Sequence, residues 1–344
     1  MKTKFITLSM IALLAITTIS CSKSDPDPVV VVPPTGNIIN TNDLMILAID
    51  TAKVNKMTMT GTNETTILNR KQNLNSYISA LSINADASKF VYADNQGVAS
   101  GGAFVPTKTI RVANINGSND ALIYSVPAPS TNSSTQVGFV KFGPSKIYFA
   151  TNTQTFVGGA VGNLTKLNSC NLDGSGFVDE NYTGSALSIS NSDVTTDGRY
   201  LATFQSAPNT PKFVIFDRTG DNGAGSLAYQ ETLTTQVSTY NSGASFSYDN
   251  KFAYFAFAES QTLKVRIINM TTLTGETKTI ATNFTTPNPS YSIRLSVASD
   301  NNRGVVTLVT YDNTPSKTYV FNLSAGSSTN FNNNDPYILD MEVF

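Results

Sequence analysis

One pattern recurs along this chain and limits what it can fold into. YISALSINADASKFVYAD runs from Tyr77 to Asp94, YNSGASFSYDNKFAYFAF from Tyr240 to Phe257, and YSIRLSVASDNNRGVVTL from Tyr291 to Leu308. In each, a Tyr is followed by a small or apolar residue at +4, a bulky apolar residue at +6 and an Asp at +9. The basic residue behind the Asp or Gly turn extends the count. Lys89 in DASKF, Lys146 in GPSKI, Arg199 in TDGRY, Lys251 in YDNKF and Arg303 in DNNRG follow one another at 57, 53, 52 and 52 residues. A unit this short cannot bury its own faces, so several copies must pack side by side.

The chemistry inside a unit is that of β structure. Asp or Asn with Gly forms a tight turn, and the basic residue stands at its exposed edge. The run behind it, such as Phe90-Val91-Tyr92 or Phe252-Ala253-Tyr254-Phe255, reads as a strand buried on both faces. A third strand follows: IRVANING (110–117), KLNSCNLDG (166–174), KFVIFDRTG (212–220), KVRIINMTT (264–272) and TYVFNLSAG (318–326). The Asn or Asp near its end caps a turn. A fourth, poorer strand leads to the next unit. Self-similarity at this period in an all-β chain predicts propeller blades of four antiparallel strands.

The two ends complete the ring. LMILAIDTA (44–52) reads as a third strand with no first strand before it, and YILDMEVF (337–344) fits the opening of a unit. The C-terminal segment then supplies the innermost strand of a blade whose remaining strands come from the N-terminal side. Five internal blades and this composite one predict a six-bladed propeller over residues 41–344, with no open sheet edge at the junction. The turn and strand resemble the TolB-type, WD40-like propeller repeat, in which roughly S-P-D-G-K/R precedes an apolar strand. The best copy is Thr195-Thr196-Asp197-Gly198-Arg199. The resemblance spans about residue 40 to the end. It implies a propeller architecture and, in that family, protein binding or a place beside a hydrolase domain.

Composition removes several functions. Formal net charge is −1, with charged residues at 14% and no basic block to meet nucleic acid. There is no histidine, so the usual base of Ser and Cys hydrolases and the commonest zinc ligand are missing. Carboxylate pairs and oxygen-ligated calcium stay open. No cofactor motif is present: DRTGDNGAG and NLDGSG, around Asp217 and Asp173, lack the alternation and closing Glu of an EF-hand.

The N-terminus reads as an address. Lys2 and Lys4, an apolar run from Phe5 to Ile16 and small residues up to Cys21 form a secretory signal over 1–20. Thr18-Ile19-Ser20-Cys21 resembles a bacterial lipobox, which implies acylation of Cys21 and a membrane partner. Asp25, Pro26, Asp27, Pro28, Pro33 and Pro34 make residues 21–40 a stiff tether. Acidic residues behind a lipid Cys resemble the surface-export signal of Bacteroidota lipoproteins. The expected location is the outer membrane, facing either the surface or the periplasm. Cys170 then has no disulfide partner and reads as a small buried residue.

Loops that enter the innermost strands would line one mouth of the central channel. Aligning the units on the Tyr gives Tyr77, Ser134, Ser188, Tyr240, Tyr291 and Tyr337, with Arg294 and Asp340 three positions further in adjacent blades and Asp193 and Glu342 at +5. Two readings stay open. The tyrosines form a ring that binds a carbohydrate or a peptide, or they plug the gaps between blades, with Arg294 and Asp340 an interblade ion pair. SGGAFVPTK (100–108) and QTFVGGAVGN (154–163) read as loops able to form a protein-binding lip. The functional expectation is a non-catalytic binding or scaffold propeller for a protein or glycan. The alternative is an enzyme of the channel mouth, a calcium-assisted lactonase or a polysaccharide lyase or hydrolase.

Overall fold

A computed structural model describes residues 45–73, 76–100, 103–127, 133–157, 160–183, 192–207, 210–219, 226–233, 242–259, 261–282, 291–310, 316–331 and 338–344. The described strands, numbered β1–β24 in chain order, form six four-stranded antiparallel sheets. Blade 1 is β4 (Tyr77–Ile83), β5 (Lys89–Ser100), β6 (Ala103–Asn114) and β7 (Ala121–Val126). Blade 2 is β8 (Ser133–Phe142), β9 (Lys146–Val157), β10 (Ala160–Asn171) and β11 (Val178–Thr183). Blade 3 is β12 (Asp193–Val194), β13 (Tyr200–Ala207), β14 (Thr210–Asp217) and β15 (Ser226–Thr232). Blade 4 is β16 (Ser242–Phe246), β17 (Phe252–Glu259), β18 (Thr262–Asn269) and β19 (Gly275–Ala281). Blade 5 is β20 (Tyr291–Val297), β21 (Arg303–Thr310), β22 (Lys317–Asn322) and β23 (Ser327–Phe331). Blade 6 joins β24 (Ile338–Val343) to β1 (Met45–Asp50), β2 (Lys53–Thr58) and β3 (Thr65–Asn69), in the order β24-β1-β2-β3.

The propeller and its composite blade are as the repeat predicts, with one change of rank. β1 is the second strand of its sheet, not the third. It pairs directly with β24, Ile46 with Val343 and Ala48 with Met341. Since β24 brings only the innermost strand, the next ladder partner must come from β1, and its four central residues are all buried, as a second strand requires.

The turns form for the local reason expected. Asp86, Asp197, Asp249 and Asp300 accept the backbone N–H two residues on, at 3.0–3.1 Å. Asn116, Asp173 and Asp217 do the same in the outer turns. One basic residue departs from its expected place. Arg303 is 5% exposed, because its guanidinium folds onto Asp300 at 2.6 Å instead of reaching into solvent.

The core consists of six apolar seams rather than one centre. Each seam joins neighbouring blades: Tyr92 and Phe90 with Leu47 and Ile49, Phe213 with Phe255, Val305 with Met341. Outer turns mesh with the blade before them. Gly117 has φ +82°, and a Cβ there would stand 1.7 Å from the Ile67 carbonyl oxygen of β3. At Gly174, with φ +84°, a Cβ would stand 1.9 Å from the Ile123 carbonyl oxygen of β7. Only glycine tolerates both the conformation and the contact. The seam between blades 6 and 1 adds charge. Arg70 donates to Asp94 at 2.9 and 3.1 Å and to Asp120 at 3.3 Å, and Asp120 also accepts from Tyr92 and Arg111.

Removing residues 338–344 should leave the β1 edge and the seams on both sides of β24 open. The expected outcome, followed by circular dichroism, is loss of a single cooperative thermal transition. A truncated chain that melts at the wild-type midpoint would refute ring closure.

Candidate functional site

The innermost strands are tied to one another around the axis by side chains. Ser82 of β4 accepts from the Phe142 N–H of β8 at 3.3 Å. The Lys141 ammonium of β8 meets Asp193 of β12 at 2.9 Å, and the same carboxylate oxygen accepts the Phe246 N–H of β16 at 2.8 Å. Between blades 4 and 5 the backbones themselves approach, and a Cβ on Gly243 would lie 2.8 Å from the Ile293 carbonyl oxygen. Ser296 of β20 accepts from Val343 N–H at 3.1 Å and donates to Glu342 at 2.7 Å. Asp340 of β24 accepts the Leu81 N–H of β4 at 3.3 Å, which returns the circuit to blade 1.

This circuit encloses a cavity of about 40 Å³, lined in part by Asp193, Arg294, Asp340 and Glu342. A water needs roughly 10–15 Å³ on this measure, so the cavity holds a few waters and not a sugar ring. Burial pushes the Glu342 carboxyl up to about 8, with Lys141 opposing and Asp340 adding to the rise. Burial also raises Asp340, against the pull of the Arg294 guanidinium and two backbone N–H groups. Burial works against the Lys141 charge, yet Asp193 and Glu342 hold its pKa above the ordinary lysine value. Perturbed carboxyls often mark catalysis. Here they bond to neighbouring strands, and the space beside them is small.

Arg294 and Asp340 therefore share the axis, with Asp193 and Glu342 beside them. Tyr77 stands half-buried at the start of β4, opposite Asn95. Tyr291 lies in the apolar seam between blades 4 and 5, at 3% exposure. Tyr240, Tyr337, Ser188 and Cys21 lie outside the described residues. Ser134 does not hold the Tyr position of blade 2. The ladder gives that place to Gln136, which pairs with Asn152 as Tyr77 pairs with Asn95, because the Gly143-Pro144-Ser145 turn is two residues shorter than that of blade 1. Lys141 is the axial residue that the repeat alignment misses. Its signal is a lone charge inside Val-Gly-Phe-Val-Lys-Phe, a run otherwise suited to burial. Among the described residues, no three His, Cys, Asp or Glu side chains are placed to hold a metal ion. The Asp173 carboxylate is engaged by Ser175, and that of Asp217 by Arg199 and Thr219.

The described residues of the two glycine-rich stretches read as loops are strand residues. β5, β6, β9 and β10 each run 12 residues, against 8 in β17 and β18, because Val98 pairs with Val105 and Phe156 with Val161 in continuous ladders. Four extra residues raise blades 1 and 2 by roughly 13 Å above their neighbours. They rise at the end where the innermost strands begin, and so form a one-sided crown. On it Phe156 is 49% and Leu164 46% exposed, on opposite faces of the hairpin.

No protein-family model matches the chain, and no curated protein matches it in sequence. Solved structures do. TolB from Acinetobacter baumannii superposes with a TM-score of 0.57 at 14% identity, over 88% of this chain and 67% of that one. A chain of a nidogen/laminin complex gives 0.57 at 11% identity, over 87% and 98%. A protein of unknown function from Bacteroides caccae gives 0.52 at 7% identity, over 88% and 98%. At these identities the likeness is one of fold: a propeller, TolB among its structural neighbours.

The axial carboxyl sets a pH dependence. Glu342 titrates near 8 in the fold against 4.5 when free, so the fold prefers its protonated form. That preference is fully present below pH 4.5 and is lost as the pH rises through 8. Up to about 4–5 kcal/mol is at stake. Glu342→Gln should match wild type at pH 4.5 and melt several degrees higher at pH 8.5. Parallel pH profiles of the two melting midpoints would contradict this.

Proposed function

We propose that this chain is a non-catalytic binding propeller of a Gram-negative cell envelope, held at the outer membrane by acylated Cys21, and that it seats a protein partner on the crown of blades 1 and 2. The crown carries the reading: two neighbouring blades stand above the rest, and blade 2 presents Phe156 and Leu164 to solvent there. Exposed large apolar side chains are the usual anchors of a protein interface. The axial circuit supports the same view, since its carboxylates and lysine hold strands together. One of the fold neighbours comes from an assembly of two proteins, a nidogen/laminin complex. The membrane placement rests on Lys2, Lys4, the apolar run behind them and Thr18-Ile19-Ser20-Cys21, which resemble a lipoprotein signal. The acidic tether resembles the surface-export signal of Bacteroidota lipoproteins.

An enzyme of the channel is the second reading. What favours it is the buried Glu342 carboxyl, which burial pushes up to about 8. The axial cavity of about 40 Å³ favours the binding role, since small-molecule sites occupy roughly 300–1,000 Å³.

A photo-crosslinking residue at position 156 or 164 should give a discrete protein adduct in intact envelopes. The same residue at position 227, on the outer strand of blade 3, should give none. Equal labelling at all three sites, or none anywhere, would remove the crown from the proposal. Metabolic labelling with palmitate tests the anchor separately. The label should be incorporated by wild type and lost in Cys21→Ser, and a labelled Cys21→Ser protein would refute acylation at that residue.

A further inference from the structure

Beside the crown lies a second concavity that the docking proposal does not use. The outermost strand of blade 1, β7, ends at Val126, while the sheet of blade 2 continues upward through β8, β9 and β10. One face of that sheet and the end of β7 line a groove of about 440 Å³, with Thr135, Thr151 and Asn168 buried in it and Thr153 and Thr155 partly exposed. This is within the size range of small-molecule sites, roughly 300–1,000 Å³. Its chemistry is mixed in a particular way. Thr151, Thr153 and Thr155 alternate along one face of β9, so their hydroxyls stand in a row at roughly 7 Å intervals. Thr135 of β8 shares a hydrogen bond with Thr153 at 3.1 Å, and the Asn168 amide of β10 donates to Thr151 at 3.0 Å. Facing this row, Phe177 lies parallel to Tyr124 at 4.9 Å and 5°, and its ring is 45% exposed.

We infer that this groove is a binding site for a neutral saccharide. Each feature matches one part of such a ligand. An open aromatic face suits the apolar face of a pyranose. Each Thr hydroxyl can both donate and accept, as a sugar hydroxyl does, and the bonds between Thr135 and Thr153 and from Asn168 to Thr151 preset their orientation. Among the described residues, no carboxylate, ammonium or guanidinium belongs to the lining, and Lys166, cross-strand from Thr151, is paired with Asp179, so no free charge of the lining repays the desolvation of a charged ligand. Lys108, the cross-strand partner of Val126, is not part of the lining. A peptide added as a strand needs a free sheet edge. β9 offers none, since β8 and β10 occupy both its sides, and the free edge of β7 reaches the groove only at Tyr124, Val126 and Pro127, the last without an N–H to donate. Recognition must come from side-chain hydroxyls, one amide and ring faces. The inference is independent of what docks on the crown.

The test uses the full propeller with Thr methyl groups labelled for NMR, titrated with malto-, cello-, xylo- and manno-oligosaccharides. Oligogalacturonate and an unstructured peptide serve as comparison ligands. At least one neutral oligosaccharide should bind with a Kd of about 1 mM or tighter. It should shift the methyls of Thr135, Thr151, Thr153 and Thr155. Phe177→Ala, and separately the pair Thr153→Val with Thr155→Val, should weaken binding about tenfold or more without lowering the melting midpoint. If either variant unfolds, the wild-type methyl shifts still decide the matter. Failure of all four saccharides, shifts confined to other threonines, unchanged affinity in both variants, or preference for the galacturonate or the peptide would each overturn the inference.

Discussion

The pairing of β1 with β24 is the interaction on which the rest depends. Each blade is an apolar sheet that cannot cover either face alone, and the six core clusters lie between blades, not within them. A ring has as many seams as blades only if the last blade meets the first. Here that junction is a shared sheet, with Ile46, Leu47, Ala48 and Ile49 laddered to residues 340–343. Breaking it would open two seams and leave two strands with unpaired edges. The neighbouring seam between blades 6 and 1 is also the one in which a buried Asp94 is paired across blades with Arg70. Removing one member of such a pair is far costlier than the pair is stabilising, so the seam resists partial opening.

Much of this was legible in the sequence because the repeat is written in local chemistry. An Asp that accepts the N–H two residues on makes its turn without help from the rest of the fold, so the spacing of Asp and the basic residue counted the blades. Runs such as Phe252–Phe257 announced second strands because both faces are buried. What stayed hidden depended on partners far away in sequence. The rank of β1 is fixed by β24, nearly three hundred residues later. Gln136 replaces Ser134 because a shortened turn shifts the alignment without changing the ladder. The glycine-rich stretches looked like loops, and cross-strand pairing made them hairpins. Arg303 seemed an exposed turn residue until Asp300 drew it inward.

The axial residues show the same division. Arg294 and Asp340 could be placed in adjacent blades from the repeat alone, and both line the axial cavity. Their work could not be read, because it depends on strands of neighbouring blades donating backbone N–H groups to Asp193, Asp340, Ser82 and Ser296. Asp193, Asp340, Glu342 and Lys141 pin neighbouring strands together around a cavity of about 40 Å³.

The unequal height of the blades has a consequence for stoichiometry. A regular sixfold ring offers a visitor six nearly equivalent seats, a degeneracy of about 1 kcal/mol in RT ln 6 at 25 °C, and no fixed orientation. Raising only β5–β6 and β9–β10 abolishes that rotational ambiguity. A visitor that touches the tall side meets one seat, in one azimuth, once per molecule.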